Sequence, residues 1–248
     1  LLNIVSFCDQ GAFQRVTQCM AIDFVKEAPP EDVTLKRLRP YVAQWFKEKF
    51  AEMTPPQRYA IPLIYENRNT LVFSSTGSGK TLAAFLSMID KLFSMSESGE
   101  LQDTVYVLYI SPLRALNNDI KRNLMIPLEG IRDTSRNLNL ELPLISVAVR
   151  TGDTSQTERS KMLRHPPHIL ITTPETLQAI LPSKAMRRHL RSVQAVVIDE
   201  IHELAQDKRG AQLAVALERL RRITRTRFQR IGLSATVGDL ETVACFLV

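Results

Sequence analysis

A glycine-rich segment between an apolar run and a helical pattern is the part of this sequence best suited to chemistry. Its glycines let the backbone turn tightly so that successive N–H groups face a phosphate, and the following helix start adds a positive dipole. Lys80 would reach the β and γ phosphates of a nucleotide, while the hydroxyl of Thr81 would bind magnesium. The segment therefore predicts a P-loop for ATP and Mg²⁺. Its nucleotide-binding residues would be Thr76, Gly77, Ser78, Gly79, Lys80 and Thr81.

One position of this segment departs from the usual P-loop pattern. The strict pattern begins with glycine, whereas this chain has Ser74 at that position. The alternative interpretation is a glycine-rich turn that binds no ligand. Placement directly after a predicted strand and before a predicted helix favours the P-loop.

A pair of carboxylates follows a second apolar run. Residues 195–198 indicate a fully buried strand, and Asp199 and Glu200 come directly after it. Asp199 would hold magnesium, and Glu200 would orient or deprotonate the attacking water. Alone, such a pair is more often a solvated turn or a helix cap. Together with the P-loop it predicts a catalytic set of Lys80, Asp199 and Glu200.

The elements that must position these residues follow a regular alternation. From residue 71 onward, short β-branched or apolar runs alternate with helical patterns. This is typical of an α/β fold in which a mainly parallel sheet has helices on both faces. Ligands of such a sheet bind at the carboxyl ends of the strands. The predicted strands span residues 71–74, 105–110, 145–149, 169–172, 195–198 and 230–233.

Apolar residues at helical spacing predict the helices between these strands. One such helix spans residues 81–93, directly after the P-loop. Two others are marked by their apolar positions, which are Leu113, Leu116, Ile120 and Leu124 for the second helix and Leu213, Leu217 and Leu220 for a later one.

The first part of the chain differs in pattern from the rest. Mixed apolar and polar residues over 1–25 indicate an amphipathic helix, which is followed by a break at Pro29-Pro30. No chemistry is suggested there. We therefore expect an N-terminal extension over residues 1–40, partly helical and of unknown role, and one α/β domain over residues 41–248.

Composition narrows the class of protein. The 248 residues are 44% hydrophobic and 23% charged, which suits a soluble globular protein with one substantial core. No apolar run is long enough to span a membrane and the N-terminus lacks a secretory pattern, so we expect a cytoplasmic protein with no membrane partner. The net charge of +6 fits a polyanionic partner, although many basic proteins bind no nucleic acid. The few cysteines have no metal-ligand spacing: Cys8, Cys19 and Cys245.

Three motifs in order resemble motifs I, II and III of superfamily-two helicases. They are the P-loop at 76–81, the Asp-Glu-Ile-His segment at 199–202, and Ser-Ala-Thr at 234–236. Further segments resemble the large-helicase-related (Lhr) family, and the resemblance covers roughly residues 41–248. These segments are residues 111–120, 150–154, 169–175, 199–204 and 208–210.

The resemblance implies a RecA-like P-loop NTPase domain that is the first motor lobe of a two-lobe enzyme. Mg-ATP would bind between the two lobes, and a single strand of nucleic acid would lie across both, with DNA favoured over RNA and RNA left as the alternative. The expected activity is therefore that of an ATP-dependent helicase or translocase, in which ATP hydrolysis drives movement along the strand.

The resemblance also assigns an adenine-binding role to Gln57. An amide side chain can both donate to and accept from one edge of adenine. Taken alone, the segment around Thr54 and Gln57 is a helix start with proline in its first turn. The aromatic residue that DEAD-box proteins place well upstream of this glutamine is not evident here.

Two further groups of residues have roles only through the resemblance. His202, Ser234 and Thr236 would couple the state of the γ-phosphate to the nucleic-acid side. A second group would grip the backbone of the strand through hydroxyl, arginine and N–H donors, which set register without reading sequence. This group comprises Arg114, Gly152, Asp153, Thr173, Pro174 and Glu175.

Two basic clusters invite a nucleic-acid interpretation. One contains the arginines between residues 219 and 230, and the other contains Lys184, Arg187, Arg188, His189 and Arg191. Charge runs on a helix face are usually solvated. We therefore favour solvated helix faces over nucleic-acid contacts for both clusters.

The second motor lobe, with its arginine finger, is absent from these residues. Without that arginine, turnover in comparable NTPases falls by about 10³-fold or more, so we expect this chain to bind Mg-ATP but hydrolyse it slowly. One alternative is an ATP-switched nucleic-acid-binding or regulatory module without motor activity. A P-loop kinase is disfavoured by the Ser-Ala-Thr motif and the phosphate-gripping segments.

Overall fold

The computed structural model describes residues 3–7, 22–112, 117–205, 207–235 and 240–247. Strands and helices alternate along most of this length. The strands are β1 (Asn3–Phe7), β2 (Ile22–Phe24), β3 (Asn69–Phe73), β4 (Val107–Ile110), β5 (Val147–Arg150), β6 (Ile169–Thr172), β7 (Ala195–Ile198) and β8 (Gln229–Ser234). The helices are α1 (Glu31–Leu35), α2 (Pro40–Lys49), α3 (Pro55–Tyr65), α4 (Lys80–Glu97), α5 (Asn117–Asn137), α6 (Gln156–Arg164), α7 (Pro174–Ile180), α8 (Lys184–Leu190), α9 (Ile201–Ala205), α10 (Lys208–Arg221) and α11 (Leu240–Leu247).

The described strands form one sheet in the order β2-β1-β3-β8-β7-β4-β6-β5. Neighbouring strands from β3 to β5 in this order run parallel, whereas β1 pairs antiparallel with both β2 and β3. Each strand predicted from the sequence is found, and its ends differ from the prediction by no more than two residues. The strands β4, β6, β7 and β8 are buried along their whole length. Burial on both faces explains the mainly apolar runs of β4, β6 and β7, whereas β8 also contains Gln229 and Arg230, whose side chains form hydrogen bonds within the chain.

Helices cover both faces of the sheet, as the sequence predicted. Along β3, Val72 faces a core with α2, α3, α4 and α5, while Leu71 and Phe73 face a second core with α7 to α11. The predicted helix over 81–93 lies within α4, and the later predicted helix is α10. The α/β fold class is confirmed. Of the residues that marked the second helix, Ile120 and Leu124 lie in α5, whereas Leu113 and Leu116 fall outside the described residues.

The helix predicted over residues 1–25 is wrong where the structure describes that segment. Strands β1 and β2 lie there instead, and β1 extends the sheet next to β3. Mixed apolar and polar residues fit such a strand as well as a helix, because β1 gains its hydrogen bonds from β2 and β3 on either side rather than from a strong local pattern. The pattern alone therefore could not decide between them.

A buried ionic network fastens the start of α2 to α4. Oδ1 of Asp90 accepts a 2.7 Å hydrogen bond from the backbone N–H of Arg39, while Oδ2 accepts bonds from the Arg39 guanidinium at 3.0 Å and from the hydroxyl of Tyr65 at 2.7 Å. Asp90 is fully buried. Because α4 begins with Lys80, this network helps to fix the helix that carries the P-loop lysine.

None of the helices in the described part of the chain combines the length and the apolar content needed to cross a membrane.

Candidate functional site

The predicted P-loop joins β3 to α4, as the sequence suggested. Two glycines in this loop have positive φ angles, 78° at Gly77 and 86° at Gly79, a region that other residues rarely adopt. A Cβ atom at Gly79 would lie 2.5 Å from Nε2 of Gln57, whereas one at Gly77 would meet no atom within 4 Å. Glycine is thus required for conformation at both positions, and for space at Gly79.

The ammonium group of Lys80 lies over the loop that precedes it. Nζ donates to the carbonyl oxygens of Ser74 at 3.1 Å and Ser75 at 3.5 Å, and the residue is only 5% exposed. The hydroxyl of Ser78 is buried and has no hydrogen-bond partner. A buried donor without a partner is costly unless a ligand satisfies it. These groups fit an anion held in the loop.

The carboxylate of Asp199 is held in place from two sides. The hydroxyl of Tyr109 donates to Oδ2 at 2.5 Å, and the backbone N–H of Glu200 donates to Oδ1 at 3.0 Å. The same tyrosine hydroxyl also contacts the side chain of Thr81. One buried tyrosine thereby connects the two residues predicted to hold magnesium.

Glu200 has a strained backbone and an incompletely paired side chain. Its φ is 44°, a left-handed value that is uncommon for a residue with a side chain. Its carboxylate accepts a hydrogen bond from the backbone of Ala235, while Oε2 is buried and has no hydrogen-bond partner. A carboxylate oxygen next to Asp199 that accepts no hydrogen bond suits a group that would take up a proton from water.

Burial raises the pKa of both carboxylates at this site, Asp199 and Glu200. Removal from water raises the pKa of Asp199, while the Tyr109 hydrogen bond, the Glu200 N–H and the charge of Lys80 oppose that increase. Burial also raises the pKa of Glu200, and the neighbouring charge of Asp199 raises it further. The site therefore disfavours two ionised carboxylates and would be stabilised by a cation between them and the phosphates.

A cavity of about 670 Å³ brings the P-loop and the acidic pair together. Its volume falls in the range typical of small-ligand sites, about 300–1,000 Å³. Apolar side chains of α2, α4 and α5 complete its wall beside the polar groups. Among the lining residues are Trp45, Leu82, Phe85, Ile126, Asp199 and Glu200.

Gln57 is placed beside the P-loop but its amide is already engaged. Its Oε1 accepts from the backbone N–H of Thr54 at 3.0 Å, and its Nε2 lies 3.5 Å from the carbonyl oxygen of Gly79. The hydroxyl of Thr54 donates to the carbonyl oxygen of Ser78 at 2.7 Å. Thr54 and Gln57 form a capping box at the start of α3, which supports the interpretation of this segment as a helix start. The same two side chains also contact the P-loop, which agrees with a place for Gln57 beside the nucleotide.

The residues predicted to couple the two sides of the site lie together where they are described. Oγ of Ser234 is 2.9 Å from Nδ1 of His202, and that nitrogen is 3.5 Å from Oε2 of Glu200. The end of β8 is thus connected to the acidic pair through one histidine. Thr236, the third residue of this group, lies outside the described residues.

The predicted nucleic-acid residues follow two neighbouring strands. Gly152 and Asp153 come after β5, and Thr173, Pro174 and Glu175 come after β6, so both segments lie at the same edge of the sheet. Arg114, which completes the set, lies outside the described residues.

The side chains after β6 are engaged within the chain. The buried hydroxyl of Thr173 accepts from the backbone N–H of Thr176 and so caps α7. Glu175 forms an ion pair with Arg209, whose Nε lies 2.6 Å from Oε1 of the glutamate. This pair lowers the pKa of Glu175, although burial acts in the opposite direction. Because the hydroxyl of Thr173 is already bonded to Thr176, a contact between Thr173 and a phosphate would use the main-chain atoms of Thr173.

Tyr109, Thr54 and Arg209 were given no site role from the sequence, although Thr54 was placed at a helix start and Arg209 lies in a segment that resembles the Lhr family. Tyr109 lies inside the buried strand β4, where an aromatic residue predicts core packing alone. Arg209 also donates to the carbonyl oxygen of Pro112 at 2.7 Å. Only the three-dimensional neighbours of these side chains reveal their connection with the site.

The two basic clusters lie away from the nucleotide site. The backbone N–H of Arg225 donates to the carbonyl oxygen of Arg191 at 3.0 Å, and the following β7 and β8 both start at this end of the sheet. The P-loop and the acidic pair lie at the opposite, carboxyl end of the strands. This placement agrees with solvated helix faces for the exposed arginines of α8 and α10. Arg230 is the exception, because it is 8% exposed in β8 and its Nη2 lies 2.8 Å from Oε1 of Glu218.

A parallel sheet with a P-loop and a facing acidic pair at its carboxyl edge defines a P-loop nucleotide-binding domain. The family described as DEAD/DEAH box helicase matches residues 54–243. This chain therefore belongs to the DEAD/DEAH box helicase family.

Within this family, the chain is similar in sequence to Lhr proteins, as the motifs suggested. The chain is 56% identical over 212 residues to the ATP-dependent helicase Lhr-Core of Saccharolobus solfataricus, and this match covers 85% of the chain and 24% of the relative. It is 54% identical over 230 residues to the Lhr-Core protein of Sulfolobus acidocaldarius, covering 92% of the chain and 26% of the relative. The chain thus spans about a quarter of the length of these relatives.

Solved structures confirm the RecA-like fold of helicases. A structure of Mycobacterium smegmatis helicase Lhr bound to ssDNA and AMP-PNP superposes with a TM-score of 0.81 at 48% sequence identity. The match covers 86% of this chain and 27% of that chain.

Proposed function

We propose that this chain is the first motor lobe of an ATP-dependent helicase or translocase of the Lhr type. The observation that supports it best is the single cavity that joins Lys80 of the P-loop to the carboxylates of Asp199 and Glu200. A module that only binds nucleic acid has no need for both magnesium-binding and water-positioning groups at one cavity.

In this proposal the P-loop binds the phosphates of ATP. Lys80 would leave the carbonyl oxygens of Ser74 and Ser75 and turn toward the β and γ phosphates. The unpaired hydroxyl of Ser78 would gain an acceptor in the same step. Gln57, held beside Gly79, would recognise adenine only if its amide exchanged its bonds within the chain for bonds to the base.

Magnesium fits the remaining groups of the cavity. Thr81 and Asp199 would hold the ion, which would neutralise charge that develops on the phosphates during transfer. Glu200 would position the attacking water and accept its proton through Oε2, which accepts no hydrogen bond and lies 3.5 Å from Nδ1 of His202. Tyr109 would keep the Asp199 carboxylate in the orientation that it has here.

The partners in the complete protein would be a second RecA-like lobe and a single strand of nucleic acid. The Lhr structure with ssDNA and AMP-PNP supports DNA as the strand, because it is 48% identical over most of this chain. His202 and Ser234, which are in contact, would couple the presence of the γ-phosphate in the nucleotide site to the binding of the nucleic-acid strand. An arginine from the second lobe would complete the transition-state contacts, so this chain by itself would turn over slowly.

A substitution at Glu200 tests this proposal in the longer protein that includes the second lobe. We expect Glu200→Gln to bind Mg-ATP normally but to lose oligonucleotide-stimulated hydrolysis, because the amide cannot accept the proton. Glu203→Gln is the matched control, since it makes the same change at an exposed position of α9. Normal turnover by Glu200→Gln would show that another group acts as the base.

A further inference from the structure

Two arginines at the carboxyl edge of the sheet play no part in the nucleotide site. Arg150 ends β5, and Arg159 lies on α6, which starts a few residues later. Nη2 of Arg159 donates to the carbonyl oxygen of Gly152 at 2.7 Å, and the carbonyl oxygen of Arg150 accepts from the hydroxyl of Thr172 at 2.8 Å. These bonds fix both arginines around the loop that follows β5.

Both guanidinium groups have buried nitrogens without hydrogen-bond partners. Nη1 of Arg150 and Nε of Arg159 are shielded from solvent and find no acceptor in the chain. Burial lowers the pKa of Arg150, and the positive charge of Arg159 lowers it further. A half-buried pair of like charges with unmet N–H groups is unfavourable by itself, because neither solvation nor hydrogen bonding compensates the desolvation.

A bound anion would satisfy the N–H groups that lack acceptors and would offset the repulsion between the two arginines. A phosphate oxygen accepts hydrogen bonds from guanidinium N–H groups, often in pairs, and its negative charge offsets the repulsion between the two arginines. The nearby carboxylate of Glu158 does not serve this purpose, because it accepts bonds from the N–H and the hydroxyl of Ser155 as the capping box of α6.

We propose that Arg150 and Arg159 form a phosphate-binding site for the backbone of a single nucleic-acid strand. The inference rests on the proposed function, since it adds two cationic contacts to the edge where Gly152, Asp153 and Thr173 lie. Arg150 stands opposite Thr172 in the pairing of β5 with β6, so the site adjoins both predicted segments. Its contacts would set the register of the strand and would not read its sequence.

The test measures binding of a fluorescently labelled oligothymidylate to this chain by anisotropy, starting at low salt and repeated over a range of salt concentrations. We expect Arg150→Gln and Arg159→Gln each to weaken binding by about tenfold, the effect of one hydrogen bond to a charged group. Each variant should also reduce the slope of log K against log salt by about 0.7, the value for one phosphate contact on a single strand.

Arg164→Gln is the matched control. It removes the same charge from the exposed end of α6, where Nε donates to the carbonyl oxygen of Ser160 at 3.5 Å, and it should leave affinity and slope almost unchanged. Arg159→Lys should bind less tightly than the unaltered chain but keep most of the salt slope, because lysine retains the positive charge but lacks the planar pair of guanidinium N–H donors.

Thermal unfolding of each variant separates binding from a structural role. Binding equal to that of the Arg164→Gln control would overturn the inference, as would weaker binding that follows only from a lower unfolding temperature. If the unaltered chain bound no oligothymidylate even at low salt, the nucleic-acid part of the proposed function would fail first, and the phosphate site with it.

Discussion

The hydroxyl of Tyr109 donates a 2.5 Å hydrogen bond to Oδ2 of Asp199. Tyr109 is fully buried in β4, and Asp199 follows the neighbouring parallel strand β7. The same hydroxyl also contacts Thr81, the other residue predicted to hold magnesium. The core of the sheet thereby fixes the position of a group that must meet a cation at its edge.

Tyr109→Phe should weaken the binding of Mg-ATP and lower the free energy of unfolding by about 1.5–3 kcal/mol, the usual effect of losing a hydrogen bond to a charged group. Calorimetric titration and urea unfolding would measure the two quantities. Tyr106→Phe is the control, because its hydroxyl lies in the same region of the chain but contacts Glu100 and Gln102. If Tyr106→Phe reduced nucleotide affinity as much as Tyr109→Phe, the loss of affinity would come from a general disturbance of the sheet and not from the missing bond to Asp199.

Asp199→Asn should stabilise the chain at pH 7 in the absence of magnesium. Burial raises the folded pKa of Asp199, so the stability that this group contributes is present below its unfolded pKa, about 3.9, and is lost as pH rises through the folded value. At pH 7 the ionised carboxylate is therefore unfavourable for folding. Removing it should raise the unfolding temperature, by about 2–4 °C for each kcal/mol gained.

The difference between Asp199→Asn and the unaltered chain should shrink as pH falls below about 4, because both side chains are then neutral. Added Mg-ATP should reverse the order at pH 7, since only the unaltered chain has the carboxylate for the ion. Melting curves at several pH values would show both trends. A lower unfolding temperature for Asp199→Asn at pH 7 without magnesium would contradict the electrostatic description of the site.

Gly79→Ala should abolish binding of Mg-ATP, and Gly99→Ala should not. Both glycines have positive φ angles, 86° and 71°, so each alanine has a similar backbone penalty of about 1–2 kcal/mol. Only at Gly79 would the new Cβ press against Gln57, at 2.5 Å from Nε2, whereas at Gly99 it meets no atom within 4 Å. Equal loss of binding in the two variants would mean that stability, and not the shape of the loop, limits the site.

Asp90→Ala should lower the free energy of unfolding by about 3–5 kcal/mol, because it leaves the Arg39 guanidinium without a buried partner. Glu97→Gln is the comparison, since the Glu97 side chain contacts the same arginine but is 47% exposed, and an amide oxygen can still accept the hydrogen bond from the hydroxyl of Tyr41. Loss of this exposed charge should cost at most about 1 kcal/mol. Chemical denaturation of both variants would measure the difference. Similar effects at the two positions would show that burial of Asp90 does not strengthen this network.

The sequence predicted the nucleotide side of the fold accurately because its signals are local. A strand, a glycine-rich turn with Lys80 and a helix are consecutive in the chain, and the strand before Asp199 is apolar along its whole length. Burial on both faces leaves no alternation, so the length of the run and the polar pair after it were sufficient to identify β7.

Other features depend on residues that are distant in the sequence. The N-terminal strand β1 is stabilised by pairing with β3, and mixed apolar and polar residues cannot distinguish such a strand from a helix. The contact between Tyr109 and Asp199, and the unpaired nitrogens of Arg150 and Arg159, exist only once the sheet is assembled. No pattern of residue types within one segment carries that information.

Calorimetric titration of Mg-ATP into this chain is the most direct test of whether the P-loop and the acidic pair form a Mg-ATP site. Lys80→Ala removes the ammonium group that would meet the phosphates, and Lys36→Ala removes the same group from an exposed side chain just after α1, where it lies 3.4 Å from Asp32. We expect binding by the unaltered chain and by Lys36→Ala, and none by Lys80→Ala. Equal binding by all three folded proteins would contradict the account.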